Sequence, residues 1–144
     1  MTYCYKYPRP MVTVDTVILK AEPDNIFKLL LIKRKNDPFA DCWALPGGFV
    51  DMDEDLDAAA KRELLEETGI AVDSVKEIGA FGTPGRDPRG RNICVAFGAV
   101  VHDELFPKGG DDAKEAELFD MNHLPELAFD HEKIIMKAIK VLIK

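Results

Sequence analysis

Residues 47–70, GGFVDMDEDLDAAAKRELLEETGI, place a helix-forming segment directly before a glycine. The stretch from Glu54 to Thr68 is rich in Ala, Leu, Glu and Lys, which favour helix, and Gly69 is typical of the residue that ends one. Three acidic residues share one face of this helix near its C-terminal end: Glu63, Glu66 and Glu67. Like charges at this spacing repel, and the helix dipole disfavours anions there. Such breaks of local rules are typical of functional sites.

Carboxylates on one helix face suit Mg²⁺ or Mn²⁺, which prefer oxygen ligands. A bound cation would remove both penalties at the end of the helix. The implied chemistry is displacement at phosphorus, because a cation polarises phosphoryl oxygens and lowers the pKa of an attacking water. From the helix alone, a solvated acidic face paired with nearby Lys and Arg is an equally good interpretation.

Composition limits the possible partners. The chain has 144 residues and a net charge of −7, so one domain with a real core is expected, and broad electrostatic binding to nucleic acid or membrane is not. A small phosphate substrate remains compatible with local arginines. The cysteines Cys4, Cys42 and Cys94 show no CxxC spacing, which predicts reduced thiols and a cytoplasmic location. No segment resembles a signal peptide or a bilayer-spanning helix.

Hydrophobic patterns predict strands on both sides of the acidic helix. The expected strands are 11–19, 26–34, 43–50, 75–82, 92–101 and 118–121. Turn-forming residues predict loops at 22–25, 36–42, 83–91 and 106–117. The tail, 129–144, is amphipathic at helical spacing and predicts a packing helix. This order predicts a mixed sheet between helices in a single domain of residues 1–144.

The spacing from Gly48 to Ile70 is a glycine, five residues, Glu54, seven residues and then the run RELLEETGI. It resembles an unbroken signature of the Nudix hydrolase family, and the preceding WALPGG is similar to the usual lead-in. The flanking strands and the tail helix extend the resemblance over nearly the whole chain. It implies a Nudix-type α/β/α sandwich with a mixed β-sheet, and hydrolysis of a nucleoside diphosphate linked to another moiety, with Mg²⁺ or Mn²⁺ as cofactor.

The resemblance implies roles for individual residues. The implied metal ligands are the carbonyl of Gly47 and the carboxylates of Glu63, Glu66 and Glu67, with Glu66 alternatively in the outer shell. Arg62 is implied as an orienting residue that holds a neighbouring carboxylate. Glu54 is open between a structural role and a distant ligand.

Relatives often carry a further carboxylate on a loop, as general base or additional ligand. The candidates here are Asp111, Asp112, Glu115 and Glu117. Asp112 is preferred because the glycines before it would let the GGDD segment move over a site. A solvated loop acid is the alternative for each, since a base must reach the attacking water.

The loop FGTPGRDPRGRN carries Arg86, Arg89 and Arg91. Arginine makes forked contacts to phosphate and stacks on adenine, so these three are the candidate substrate-binding residues; solvated surface arginines are the alternative. PGRDPRGR and the later LPELAFDHEKII resemble the branch that hydrolyses ADP-ribose to AMP and ribose 5-phosphate. Phe81 and Phe129 are expected in the core, with stacking on a substrate ring as the alternative for either. His131 is expected at a helix start without catalytic duty, with contact to a polar ligand as the alternative.

Two other functions remain as alternatives. One is a pyrophosphohydrolase acting on oxidised nucleoside triphosphates. The other is a non-catalytic ADP-ribose-sensing module, although sensors in this family tend to lose signature carboxylates that are intact here. A chain that ends at Lys144 is expected to lack a following DNA-binding domain. Kinship also suggests a homodimer.

Overall fold

A computed structural model describes residues 2–143. The chain opens with the predicted hairpin, in which β1 (Met11–Glu22) and β2 (Ile26–Arg34) pair antiparallel. Their connection is a 3₁₀ turn, Pro23–Asn25, in which Asp24 has a φ of 65°. Asp and Asn tolerate this left-handed conformation better than most residues.

Seven strands form one mixed sheet. After the hairpin come two short strands, β3 (Trp43–Ala44) and β4 (Gly47–Phe49), where the sequence predicted one extended piece. The remaining strands are β5 (Lys76–Phe81), β6 (Asn92–Val101) and β7 (Ala113–Asp120). The order is β3-β2-β1-β6-β5, with β4 pairing to β1 and β7 to β2. Only the β1–β6 pair is parallel among the described strands.

Helices cover both faces of the sheet. Side chains alternate along a strand, so Ile18 of β1 packs on one face with Leu64 of α1 (Leu56–Thr68). Val17 and Leu19 pack on the other face with Ile134 of α2 (His131–Leu142). The result is the α/β/α sandwich expected from the sequence.

Helix α1 ends where predicted but begins later. Gly69 has a φ of 75° and donates its N–H to the carbonyl of Leu65, so it closes the helix in the left-handed conformation that suits glycine. The helix starts at Leu56 instead of Glu54, because Asp55 is extended and forms the N-cap. Glu54 therefore lies before the helix, and its side chain accepts a hydrogen bond from Arg62 of the helix.

The predicted boundary between the 106–117 loop and the last strand was wrong. The loop expected at 106–117 ends at Asp112, because β7 already begins at Ala113. This strand pairs along β2, with Glu117 opposite Leu31 and Glu115 opposite Lys33. Its Ala, Lys and Glu residues have low strand propensity, so the pairing with β2 overrides the local signal.

The tail forms α2 as predicted, within narrower limits. Ile134, Ile135 and Ala138 are buried against the sheet. Met1 and Lys144, the ends of the predicted single domain, lie outside the described residues, and the single-domain division stays a prediction.

Candidate active site

A cleft of about 300 Å³ lies where β1, β4, α1, the 82–91 loop and the start of α2 come together. One side carries the carboxylates of Glu63 and Glu67, which we call the acidic wall. The same cleft is lined by Arg34, Arg86 and Arg89, which we call the arginine wall. The two walls bring opposite charges to one cavity, although the chain as a whole is acidic.

Glu67 is the most deeply buried member of the acidic wall, with 5% of its surface exposed. Its Oε1 accepts a hydrogen bond of 2.7 Å from the backbone N–H of Gly47. The pKa of Glu67 is raised to about 8, mainly by burial. The negative charges of Glu63, Asp15 and Asp112 also raise it, whereas the hydrogen bond from Gly47 lowers it. The protein thus places a carboxylate where burial and like charges disfavour its ionised form.

Glu63 lies one helical turn before Glu67 and faces Gly48. A Cβ atom at position 48 would lie 2.6 Å from the carboxyl carbon of Glu63, so only glycine allows this approach. Burial raises the pKa of Glu63, although Arg62 opposes this effect through a hydrogen bond of 2.8 Å from Nη1. Glycine at position 48 therefore lets the β4 backbone and the helix carboxylate share one narrow space.

Arg62 is the centre of an ion-pair network beside the acidic wall. Its Nη2 donates to Oε1 of Glu54 at 2.6 Å and to the carbonyl of Phe49 at 3.1 Å. Donation from Arg62 lowers the pKa of Glu54 to about 2. This geometry supports the structural alternative for Glu54, which holds Arg62 while Arg62 orients Glu63.

Glu66 differs from the other two helix glutamates. It is exposed and pairs with Arg62, whose Nη1 lies 3.2 Å from its Oε2. Within residues 2–143 it does not line the cleft, whereas Glu63 and Glu67 do. The sequence grouped the three on one face, but the arc between i and i+3 is enough to turn one outward.

The four candidate loop carboxylates separate as well. Asp112 lines the cleft, and its charge contributes to the raised pKa of Glu67. The backbone N–H groups of Lys108 and Gly110 donate to the last carbonyls of α1, which ties this loop to the helix end and limits the movement expected for GGDD. Asp111 is exposed. Glu115 and Glu117 lie on β7, and Glu115 pairs with Lys33 at 3.5 Å.

The arginines of the 82–91 loop do not act as a group. Arg86 makes a two-pronged contact with Asp130, at 3.0 and 2.6 Å, and its side chain is 4% exposed. Arg89 makes a similar contact with Asp87, at 3.1 and 2.8 Å. Arg91 is exposed and donates to the carbonyl of Gly82; it is not among the cleft-lining residues of the described chain.

Arg34 and Phe129 are cleft residues that sequence reasoning did not assign to the site. Arg34 ends β2 and donates through Nε to the carbonyl of Pro38 at 2.8 Å. Burial and the nearby Arg89 lower its pKa. Phe129, expected in the core, lines the cleft with a φ of 52°, and both Arg34 and Arg89 lie over its ring. Arg34 ends a strand and Phe129 lies shortly before a helix, and neither position is by itself a strong sequence signal of a binding site.

A buried polar cluster at the back of the cleft was also missed. His131 accepts a hydrogen bond from Leu45 N–H through Nδ1 at 3.0 Å, and its Nε2 lies 3.4 Å from Oδ2 of Asp15. The thiol of Cys94 donates to the same oxygen at 2.9 Å. Burial raises the pKa of Cys94 and so disfavours its reactive thiolate form. A lone Asp inside the apolar run VTVDTVIL was the available signal.

The donors of the acidic wall fit a hard divalent cation. Glu63, Glu67 and the backbone of Gly47 offer oxygen ligands, which Mg²⁺ and Mn²⁺ prefer. Burial and neighbouring carboxylates raise the pKa of Glu67, and both effects would be offset by a bound cation. Within residues 2–143, no three His, Cys, Asp or Glu side chains are already grouped closely enough to hold a metal ion by themselves.

Comparison with known proteins agrees with this geometry. The NUDIX domain profile matches residues 9–138. An ADP-ribose pyrophosphatase of Methanocaldococcus jannaschii is 54% identical over 130 residues, which cover 90% of this chain and 73% of that protein.

Two solved structures share the fold. The NUDIX domain of Shewanella oneidensis NrtR, complexed with ADP ribose, superposes with a TM-score of 0.87 at 29% identity, covering 94% of this chain and 90% of that one. A bifunctional NMN adenylyltransferase/ADP ribose pyrophosphatase from Francisella tularensis, complexed with AMP and a Mn ion, gives 0.84 at 30% identity, over 95% and 43%.

The chain therefore belongs to the Nudix family and is a Nudix hydrolase. The predicted α/β/α sandwich with a mixed sheet is confirmed. In residues 2–143, neither helix has the length and apolar character that crossing a bilayer requires.

Proposed function

We propose that this protein hydrolyses ADP-ribose to AMP and ribose 5-phosphate with Mg²⁺ or Mn²⁺. The observation that carries the proposal is the cleft itself, in which Glu67, buried and without a salt-bridge partner among the described residues, lines the same space of about 300 Å³ as three arginines. Similarity to an ADP-ribose pyrophosphatase over most of both chains supports the choice of substrate.

In this proposal, different residues hold the cation, orient its ligands and activate the water. Glu63, Glu67 and the carbonyl of Gly47 would hold the cation, which supplies charge neutralisation and an acidified water when bound. Arg62 keeps Glu63 oriented through its bond of 2.8 Å. Glu66 contributes from outside the cleft through the same arginine. Asp112 is the candidate base, because it lines the cleft beside Glu67.

The arginine wall would hold the diphosphate and the sugar or base. Arg86 and Arg89 are fixed by Asp130 and Asp87, so their remaining N–H groups are held in place before substrate arrives. Arg34 adds a third guanidinium, and Phe129 offers a ring face that two arginines already contact. Arg91 would support the loop through its bond to Gly82 instead of touching substrate.

A turnover assay with product identification tests the proposal. Wild-type protein and Glu67→Gln are incubated with ADP-ribose, other ADP-sugars, NADH, diadenosine polyphosphates and nucleoside triphosphates, each with Mg²⁺ and with Mn²⁺. We expect ADP-ribose to give AMP and ribose 5-phosphate at the highest kcat/KM, and the variant to be nearly inactive. Preferred release of pyrophosphate from nucleoside triphosphates would replace this function by the alternative one.

A sensing role is the second candidate, because the similar NUDIX domain of NrtR binds ADP ribose. The intact acidic wall favours the enzyme. Binding of ADP-ribose by calorimetry without any release of AMP in the presence of either metal would favour the sensor.

The small-molecule substrate is the only partner this proposal requires. The homodimer suggested by kinship is tested by light scattering, and a cytoplasmic location stays a prediction from the cysteine spacing.

A further inference from the structure

The segment Leu45–Gly47 contributes the backbone that contacts the acidic wall. Each of its three residues is held by a hydrogen bond of its own. The N–H of Leu45 donates to Nδ1 of His131 at 3.0 Å. The carbonyl of Pro46 accepts from the N–H of Thr16 at 2.9 Å. The N–H of Gly47 donates to Glu67 at 2.7 Å. Of the residues that hold this segment, His131 belongs to neither the sheet nor the acidic wall.

The two ring nitrogens of His131 have different partners. Because Nδ1 accepts from a backbone N–H, it carries no proton, and the proton of the neutral ring lies on Nε2. Nε2 faces Oδ2 of Asp15 at 3.4 Å. The ring is 4% exposed and is the first residue of α2, so the helix fixes its position.

Asp15 transmits this arrangement to Gly47. Its backbone pairs with Gly47 between β1 and β4. A Cβ atom at position 47 would lie 2.2 Å from Oδ1 of Asp15, so the carboxylate packs directly against the glycine. His131 thus contacts the segment twice, through the amide of Leu45 and through the carboxylate behind Gly47.

We propose that His131 is a positioning residue for the metal site, which acts by fixing the Leu45–Gly47 segment against Glu67. This inference rests on the proposed function, in which Gly47 and Glu67 are ligands. Loss of the acceptor at Nδ1 leaves a buried N–H unpaired and lets the segment shift, so cation binding weakens.

The test measures Mn²⁺ binding without nucleotide, by electron paramagnetic resonance of the free ion, in wild type and three variants. His131→Phe removes both polar contacts. His131→Gln places its amide near Nε2 and leaves Leu45 unpaired. His131→Asn places an oxygen near Nδ1 and keeps the Leu45 bond. We expect the Mn²⁺ dissociation constant to rise about tenfold for Phe and for Gln, and by less than about threefold for Asn.

Two controls separate positioning from general stability. Ile134→Val weakens the packing of the same helix while keeping both polar contacts of His131, and His123→Asn removes an exposed histidine. Both should keep the wild-type dissociation constant. Glu67→Gln should abolish the binding and thereby assign it to the cleft.

Equal Mn²⁺ affinity in wild type and in a folded His131→Phe or His131→Gln variant would overturn the proposal, as would equal losses in Asn and Gln. If the Phe variant does not fold, the contrast between Asn and Gln decides. Because no nucleotide is present, this outcome is independent of the substrate: wild type that binds Mn²⁺ but leaves ADP-ribose intact would refute the proposed function and not this inference.

Discussion

The two walls of the cleft solve the problem of buried charge in opposite ways. Arg86 and Arg89 of the arginine wall each have a carboxylate partner from the chain, at 2.6 and 2.8 Å. In the acidic wall, Glu67 receives one backbone N–H, and the pKa of its carboxyl rises to about 8. Arg86 and Arg89 are neutralised by the chain itself before substrate arrives. Glu67 has no such partner among the described residues and needs either a proton or a cation from solution.

The difference also explains what each wall does for stability. The arginine wall is part of the folded framework, because Asp130 and Asp87 would be left unpaired without it. The acidic wall costs the metal-free protein stability, since burial and like charges both oppose ionisation. Substitutions in the acidic wall should therefore lower activity without destabilising the fold. Substitutions in the arginine wall should weaken substrate binding and destabilise the fold together.

The largest expected effect comes from Glu67→Gln. The amide keeps an acceptor for the N–H of Gly47 but removes a ligand charge worth several kcal/mol in the transition state, so kcat should fall by more than about 100-fold. The metal-free variant should be at least as stable as wild type at pH 8, by denaturant unfolding. Activity within tenfold of wild type would remove Glu67 from the metal site.

The matching change in the arginine wall is Arg86→Ala. It leaves Asp130 without its partner, so the unfolding free energy should fall by about 1–3 kcal/mol. KM for ADP-ribose should rise more than kcat falls, because this contact is made before the transition state. Arg86→Lys keeps the charge but loses the fork and should lie between wild type and Ala. An unchanged KM in both variants would show that the arginine wall does not bind the substrate.

The pH dependence of the metal-free protein should report the acidic wall. The folded pKa of Glu67, about 8, lies above its ordinary 4.5, so the folded protein keeps a proton that the unfolded chain has lost. Unfolding free energy should therefore fall as pH rises from about 4.5 to about 8. Tm measured in a chelator across this range should decline in wild type and decline less in Glu67→Gln. Parallel curves would contradict the assigned cause.

The smallest effect is expected from Arg91→Ala. This side chain is exposed and contacts its own loop, so KM and kcat should stay within about twofold of wild type. It serves as the matched control for Arg86, since both were equal candidates by sequence. A rise in KM as large as that of Arg86→Ala would show that the 82–91 loop rearranges to bring Arg91 to substrate.

Local spacing was sufficient to predict α1, its end at Gly69 and the family, because these depend on residues close together in the chain. The same spacing could not show that Glu66 turns outward. Three arginines within six residues could not be separated, because the side of the loop that faces the cleft depends on Asp130 and Asp87.

Contacts between distant residues account for the rest of what was missed. Leu45 and His131 are 86 residues apart, and Asp15 and Cys94 are 79 apart, so no local pattern joins them. Strand β7 formed against its own propensity because β2 supplied the partner. The missed elements share one feature: their conformation is decided by the sheet and not by neighbouring residues.

The central claim, that the acidic wall is completed by a divalent cation, is tested most directly by thermal unfolding at pH 8 with increasing Mg²⁺ or Mn²⁺. A ligand that binds only the folded form raises Tm with the logarithm of its concentration once it exceeds the dissociation constant. We predict such a rise in wild type and none in Glu67→Gln. A wild-type Tm that does not move up to millimolar metal, or that moves equally in the variant, would contradict it.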